Sequence, residues 1–238
     1  MNIALIGYGK MGKAIEEIAL QRGHSIILAI DLHNADRFNQ ENLAAADVAI
    51  EFTGPDSAYA NIIKVLQCHV PVVCGSTGWL QQWEEVTAYC KKSDGTFLYA
   101  SNFSIGVNLF FELNKRLAEL MAAQSTYEVT IEETHHTQKK DAPSGTAVSL
   151  AEQVTERLDR KKGWVSEWNG SPDDLVITSK RIDPAPGIHT VTYSSPIDDI
   201  EITHTAHNRT GFATGAVLAA EFLKDKKGIF SMKDVLGL

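Results

Sequence analysis

The segment Glu132-Glu133-Thr134-His135-His136-Thr137-Gln138-Lys139-Lys140-Asp141-Ala142-Pro143-Ser144-Gly145-Thr146-Ala147 is the most chemically informative in the chain. It leaves a predicted strand and enters a predicted helix. Histidine exchanges protons near neutral pH. Lysine neutralises an anionic substrate or donates a proton. Ser144-Gly145-Thr146 at a helix start offers hydroxyls and backbone N–H groups with no helical acceptor, which suits a carboxylate. A base, a cation and an anion cradle therefore lie within one short segment. As composition alone, a His pair and two lysines also fit ordinary surface decoration. A metal reading through His135, His136, His204 and His207 is weak. The pair at 204 and 207 sits poorly on a strand, and no Cys or carboxylate completes a standard spacing, so no metal is expected.

A second constellation opens the chain. Gly7-Tyr8-Gly9-Lys10-Met11-Gly12 is G-x-G-x-x-G, placed between a predicted strand and a predicted helix. Its first glycine permits a tight turn, its second a close approach to a pyrophosphate, and its third close helix–strand packing. Asp31 ends the next strand at the expected distance and can accept hydrogen bonds from an adenosine ribose. The competing reading is a plain glycine turn with a solvated Asp. Two further loops, Gly75-Ser76-Thr77-Gly78 and Ala100-Ser101-Asn102-Phe103, follow predicted strands, where open α/β sheets bind ligands. Taken alone, each also reads as an ordinary turn.

The elements that must position these groups fall into two grammars. Up to about Gly106, strand and helix alternate. Strands are expected at 3–6, 25–30, 48–52, 70–74 and 97–100, with helices at 10–22, 56–67 and 80–91. These strands are apolar without alternation, as when helices cover both faces of a parallel sheet, so a doubly wound domain is expected. Beyond Gly106 the period changes. Helices are expected at 107–123 and 146–158. Residues 126–134, 175–181, 189–195 and 200–206 alternate, as in Ile200 and Ile202 against Glu201 and Thr203. That predicts a mixed or antiparallel sheet with one polar or interfacial face. A helix returns at 215–223.

Composition bounds the rest. The chain has 238 residues, 44% hydrophobic and 22% charged, which fits a globular protein of one to two domains. Lys plus Arg is 22 against 30 Asp plus Glu, a net charge of −8, a poor match to nucleic acid. Cys68, Cys74 and Cys90 form no CxxC, so neither a disulfide framework nor a zinc site is expected. No apolar run reaches the roughly 18 residues of a membrane span, and no secretory leader is expected. A cytoplasmic location is the simplest expectation.

These motifs together closely resemble the dihydrodipicolinate reductase family, also called 4-hydroxy-tetrahydrodipicolinate reductases, of bacterial diaminopimelate and lysine synthesis. The resemblance covers essentially the whole chain. Its signature, H-H-x-x-K-x-D-A-P-S-G-T-A, runs unbroken from His135 to Ala147. The amino-terminal glycine motif, G-x-T-G at Gly75, S-N-F-S-x-G-V-N at Ser101 to Asn108, and H-x-A-x-x-R-x-x-F-A-x-G-A from His204 to Ala216 agree with it. The resemblance implies His135 as proton donor/acceptor and Lys139 as proton donor. It implies that His136 and the Ser144-Gly145-Thr146 cradle hold the carboxylates of a dicarboxylate substrate. Gly7 to Gly12, Asp31, Gly75, Ser76, Thr77 and Ala100 to Phe103 would hold NADH or NADPH. The implied fold is a Rossmann-like domain, 1–106 completed by 213–238, with an inserted α+β substrate domain of mixed sheet, 107–212. Members are commonly tetramers built through that second sheet.

The chain departs from the pattern after Asp31. Many members carry Arg there, against the 2′-phosphate of NADPH; this chain has Leu32. A carboxylate without that cation favours NADH. The stretch between Asp31 and Val48 is also abbreviated. Two other functions fit parts of the sequence. One is a different two-domain dehydrogenase of amino-acid metabolism, such as one acting on a semialdehyde, which would need less anion binding. The other is a nucleotide-sensing regulator, which would need a DNA-binding module; no basic helix-turn-helix segment is apparent.

Overall fold

A computed structural model of the chain describes residues 1–168, 171–208 and 210–238. By packing, these divide into two units, Met1–Ile105 with Thr210–Leu238, and Gly106–Arg209.

In the first unit, β1 (Asn2–Ile6) leads through the glycine turn into α1 (Lys10–Gln21), followed by β2 (Ser25–Ile30). A short α2 (Gln40–Leu43), β3 (Val48–Glu51), α3 (Pro55–Gln67), β4 (Val72–Cys74), α4 (Trp83–Lys92) and β5 (Thr96–Tyr99) continue the alternation. Pro55 opens α3 at a position that needs no N–H. In α4, Glu84 and Glu85 stand in the first turn and Lys91 and Lys92 in the last, each opposing the charge of the helix end. Strand β4 begins two residues later than the apolar run. Val70 is buried, but Pro71 lacks an N–H and joins the sheet only by accepting from the Ala49 N–H through its carbonyl, at 2.8 Å.

The second unit contains all of α5 (Ile105–Met121) beyond its first residue, then β6 (Glu128–His135), α6 (Gly145–Thr155), β7 (Gly163–Val165), β8 (Asp174–Arg181), β9 (Gly187–Ser194) and β10 (Asp199–Ala206). The chain then rejoins the first unit as α7 (Thr210–Leu223), β11 (Gly228–Phe230) and α8 (Met232–Leu236). The strands β7 and β11 and the helices α2 and α8 are too short to announce themselves by periodicity.

Six parallel strands in the order β11-β5-β4-β3-β1-β2 form the first sheet. Both of its faces are covered. Ala58, Ile62, Val65 and Leu66 of α3 and Val86 of α4 pack on one face. Ile15 and Ala19 of α1, with Ala213, Ala216, Val217 and Ala220 of α7, pack on the other. This is the doubly wound arrangement expected from the unalternating strands. Ile30, Ile6, Glu51, Cys74 and Tyr99 form one row of register partners across the sheet. The loops after β2, β1, β3, β4 and β5 therefore all leave at one edge, the carboxyl edge.

The second sheet, β10-β9-β6-β8-β7, is mixed. β6, β8 and β7 run parallel, and β9 is antiparallel to both β6 and β10. Val129, Ile131, Leu175, Ile177, Val191 and Tyr193 face α5 and α6 through Phe110, Ala118, Leu150, Ala151 and Val154. The opposite face is polar. It pairs Lys180 with Glu132 at 2.7 Å and Thr190 with Thr203 at 3.1 Å.

Candidate active site

The glycine motif is built for a close approach. Gly7 has φ 100°, and a Cβ there would stand 2.1 Å from the Phe52 carbonyl oxygen. A Cβ on Gly12 would stand 2.4 Å from the Gly7 carbonyl oxygen. The N–H groups of Gly7 and Tyr8 both donate to the Ile30 carbonyl, at 2.9 and 2.8 Å, which ties the turn to the end of β2. Gly9 caps α1 without a side-chain acceptor, so the first N–H groups of a 12-residue helix stay available to an anion. A cleft of about 720 Å³ opens here, lined by Gly7, Tyr8, Gly9, Asp31, Leu32 and His33 together with Thr53, Ser57 and Asn61. Asp31 accepts from the His33 N–H through Oδ1 at 2.7 Å, and Leu32 is 96% exposed. These residues fit a dinucleotide: glycines where a phosphate needs the backbone, a helix N-terminus, and a carboxylate that lines the same cleft.

The other predicted cofactor residues divide. Lys10 is exposed, Met11 packs into the core beneath α1, and Gly12 is buried. Gly75, Ser76 and Thr77, and Ala100 to Phe103, share the carboxyl edge but do not line the cleft. Gly75 lies under the Phe52 ring, which in turn tilts against Phe103 at 5.5 Å. The Ser76 hydroxyl is turned inward and accepts from the Thr53 N–H at 2.8 Å, and its carbonyl accepts from Trp79 Nε1 at 2.8 Å. The Asn102 side chain likewise accepts from the Ser104 N–H at 2.9 Å and braces its own loop.

The chemical end sits on β6 and the loop that follows. Strand alternation puts Val129, Ile131, Glu133 and His135 on one buried face, so the apolar side of β6 becomes polar at its end. His135 Nδ1 lies 2.7 Å from Glu133 Oε2, and both side chains are buried. Glu133 was not among the residues expected from sequence. The signal was there, because the alternation Val129, Ile131 extends by two steps to Glu133 and His135. Burial alone would raise the Glu133 carboxyl; the close His135 ring and Ser179, with hydrogen bonds from the Ser144 N–H and Arg181, overcome it and hold the group well below the usual range. Glu133, His135 and His189 bring one ligand-type atom each within 4.8 Å of one another. The carboxylate of that group is already engaged by Arg181 at 3.0 Å and by the Ser144 N–H at 3.2 Å.

The loop from His136 to Ser144 is pinned from several sides. Thr137 donates to Asp183 from its N–H at 3.1 Å and its hydroxyl at 2.7 Å. Arg181 donates to the Asp141 carbonyl at 2.6 Å. Lys139 reaches Asp141 Oδ2 at 2.9 Å, and His136 is half-buried beside this loop. Ser144 corrects an expectation. Its hydroxyl is buried, accepts from the Ala147 N–H at 3.3 Å and meets His189 Nε2 at 3.1 Å. It caps α6 and does not present a free hydroxyl to a ligand. Gly145 is exposed and Thr146 half-buried, and helix geometry leaves their N–H groups without intrahelical acceptors. His204 packs its ring near Phe110 at 5.9 Å, and burial pushes its imidazole down, as suits a packed histidine. In the late motif from His204 to Ala216, Arg209 lies outside the described residues.

A glycine-turn cleft on a parallel sheet, and on a second sheet a buried imidazole–carboxylate pair beside the N-terminus of α6, fit a nicotinamide-dependent oxidoreductase. Comparison with known proteins makes this specific. The model of the dihydrodipicolinate reductase amino-terminus matches residues 1–103, and that of its carboxy-terminus matches residues 106–236. The chain belongs to the dihydrodipicolinate reductase family. A 4-hydroxy-tetrahydrodipicolinate reductase of Christiangramia forsetii is 52% identical over 238 residues, covering 99% of this chain and 98% of that one. One of Cupriavidus necator is 34% identical over 269 residues, covering all of both. Among solved structures, a dipicolinate-bound dihydrodipicolinate reductase from Paenisporosarcina sp. TG-14 has the same fold. Its TM-score is 0.77 at 22% identity, covering 98% of each chain. Among the described residues, no helix is long and apolar enough to cross a membrane.

Proposed function

We propose that the chain catalyses NAD(P)H-dependent reduction of 4-hydroxy-tetrahydrodipicolinate to tetrahydrodipicolinate, in diaminopimelate and lysine biosynthesis. The observation that carries this is the unbroken run His135 to Ala147, whose histidine rests on a buried carboxylate and whose end opens a helix N-terminus. The nicotinamide cofactor supplies the hydride when bound. The residues of this chain do the rest. Gly7, Tyr8, Gly9, Lys10, Met11 and Gly12 bind the pyrophosphate end, and Asp31 the adenosine ribose. Gly75, Ser76, Thr77 and Ala100 to Phe103 serve the nicotinamide half through backbone groups and apolar walls. His135 and Lys139 hold and move the proton that balances the hydride. His136 and the N–H groups of Gly145 and Thr146 bind the substrate carboxylates, with Ser144 holding the cradle in place.

In this reading residues 1–106 with 213–238 serve the cofactor, and 107–212 serve the substrate and assembly. NADH is the preferred cofactor. The enzyme is a cytoplasmic homotetramer, supported by the family resemblance and by the two-faced strands of the second sheet. Light scattering at micromolar concentration should read well above the 26.1 kDa of one chain; a monomer mass excludes the assembly. The activity itself is tested by following nicotinamide absorbance with substrate generated in situ by a coupled enzyme. Consumption that depends on that substrate supports the reading. Cofactor binding without consumption favours a sensor, and consumption with an amino-acid semialdehyde instead favours a different dehydrogenase.

A further inference from the structure

Glu133 sits where the second sheet joins two tasks. Its register partners are Ser179 on β8 and His189 on β9, so all three point to the same side of the sheet. His135, two residues along β6, shares that face and pairs in register with Arg181. The two oxygens of Glu133 divide the work. Oε1 accepts from Arg181 at 3.0 Å and from the Ser144 N–H at 3.2 Å, at the step just before Gly145 and Thr146. Oε2 faces His135 Nδ1 at 2.7 Å. The other ring nitrogen is kept clear by different means. Gly187 lies beside it, and a Cβ there would stand 3.1 Å from Nε2. The His189 ring packs edge-on against His135 at 5.1 Å, which fixes the imidazole plane.

We propose that Glu133 is the positioning residue of this site: it holds His135 as the Nδ1–H tautomer with Nε2 turned to the reaction, and the same carboxylate anchors the start of the carboxylate-binding helix. A carboxylate is acceptor-only when ionised, so its negative charge 2.7 Å from Nδ1 favours the tautomer that carries its proton there. Nε2 then has a free lone pair when the ring is neutral and a deliverable proton when it is charged. Replacing the carboxylate by an amide keeps the shape and loses that selection, because an amide can donate as well as accept. The proposal rests on the reading of His135 as the proton-transfer group.

The experiment has two parts. First, ring-nitrogen NMR of the wild-type protein labelled at histidine, at a pH where the His135 ring is neutral, with His135→Gln for assignment. The expected pattern is a proton on Nδ1 and none on Nε2; a proton on Nε2 overturns the proposal without any variant at Glu133. Second, kcat and KM for Glu133→Gln, His135→Gln and the double variant. Glu133→Gln should lower kcat about 10²–10⁴-fold, the usual span of a general acid–base contribution, with the KM for NADH unchanged. In the His135→Gln background the same change should cost far less, because it acts through the imidazole. An equal loss in both backgrounds overturns the positioning role and leaves His135 in place. Near wild-type turnover by His135→Gln instead refutes the proton-transfer reading itself.

Discussion

Lys139 points its ammonium at Asp141, Nζ to Oδ2 being 2.9 Å, within the loop that His135 opens and Ser144 closes. Burial raises the Asp141 carboxyl, but the Lys139 hydrogen bond and charge more than offset this and hold it below its usual range. A lysine paired to a carboxylate on its own loop is held in place yet can exchange that partner for an incoming anion. Lys139→Ala and His135→Ala are each expected to lose about 10²–10⁴-fold in kcat while the fold persists, the usual span for such groups. Steady-state kinetics at saturating substrate, with circular dichroism for the fold, checks this. Near wild-type kcat removes that residue from the mechanism.

The anion cradle makes a different prediction. Ser144 is spent on capping α6 and on His189, so the free groups are the N–H donors of Gly145 and Thr146 and the Thr146 hydroxyl. Thr146→Val keeps the shape and deletes the hydroxyl. A hydrogen bond to a charged group is worth about 1.5–3 kcal/mol, so the substrate KM should rise about tenfold or more. The kcat should change much less, because a carboxylate is bound alike in ground and transition states. An unchanged KM with a collapsed kcat would count against the assignment.

Cofactor choice turns on Asp31 and Leu32. In NADPH the 2′-hydroxyl becomes a phosphate, which Asp31 would face. Coulomb repulsion at about 4 Å is worth on the order of 1–4 kcal/mol, depending on the effective dielectric. Leu32 is 96% exposed and brings no charge; His33 lines the same cleft, and Arg37 is close in sequence. Wild type should show the higher kcat/KM with NADH, and Leu32→Arg should raise kcat/KM for NADPH by about tenfold or more at fixed salt. A wild-type preference for NADPH, or no gain in Leu32→Arg, sinks the argument.

Acid should destabilise the protein through His189. Burial, reinforced by the neighbouring His135, pushes its imidazole from 6.5 down to about 4, against the opposing charge of Glu133. Between those values the unfolded chain takes up a proton that the folded chain refuses, so stability falls as pH falls through that window. Below it the full loss is on the order of 3 kcal/mol. Thermal unfolding from pH 7 to pH 4.5 at constant protein concentration should show a smaller drop in Tm for His189→Gln than for wild type. Equal slopes would mean that His189 is not the group being protonated.

Much of this was legible before the structure. The unalternating strands specified a covered parallel sheet, and the change of period near Gly106 specified a mixed one. The glycine motif and the His135–Ala147 run marked the two chemical ends. What stayed hidden was side-chain direction. Ser144 looked like a ligand hydroxyl, but it is turned inward to satisfy the Ala147 N–H. Glu133 was passed over although the alternation of β6 reaches it; its partners on β8 and β9 come only from the register of the sheet. Strands of three residues, β7 and β11, carry too little pattern to be read alone.

The central claim is that a hydride passes from the nicotinamide cofactor to a cyclic dicarboxylate on this protein. The direct measurement uses NADH deuterated at the transferable position of the nicotinamide ring, with substrate generated in situ, and mass spectrometry of the product. One deuterium should appear in tetrahydrodipicolinate, in step with oxidation of the cofactor, and should accumulate about 10²–10⁴-fold more slowly with His135→Ala. Product without deuterium, or oxidation of the cofactor with no labelled product, would contradict the account.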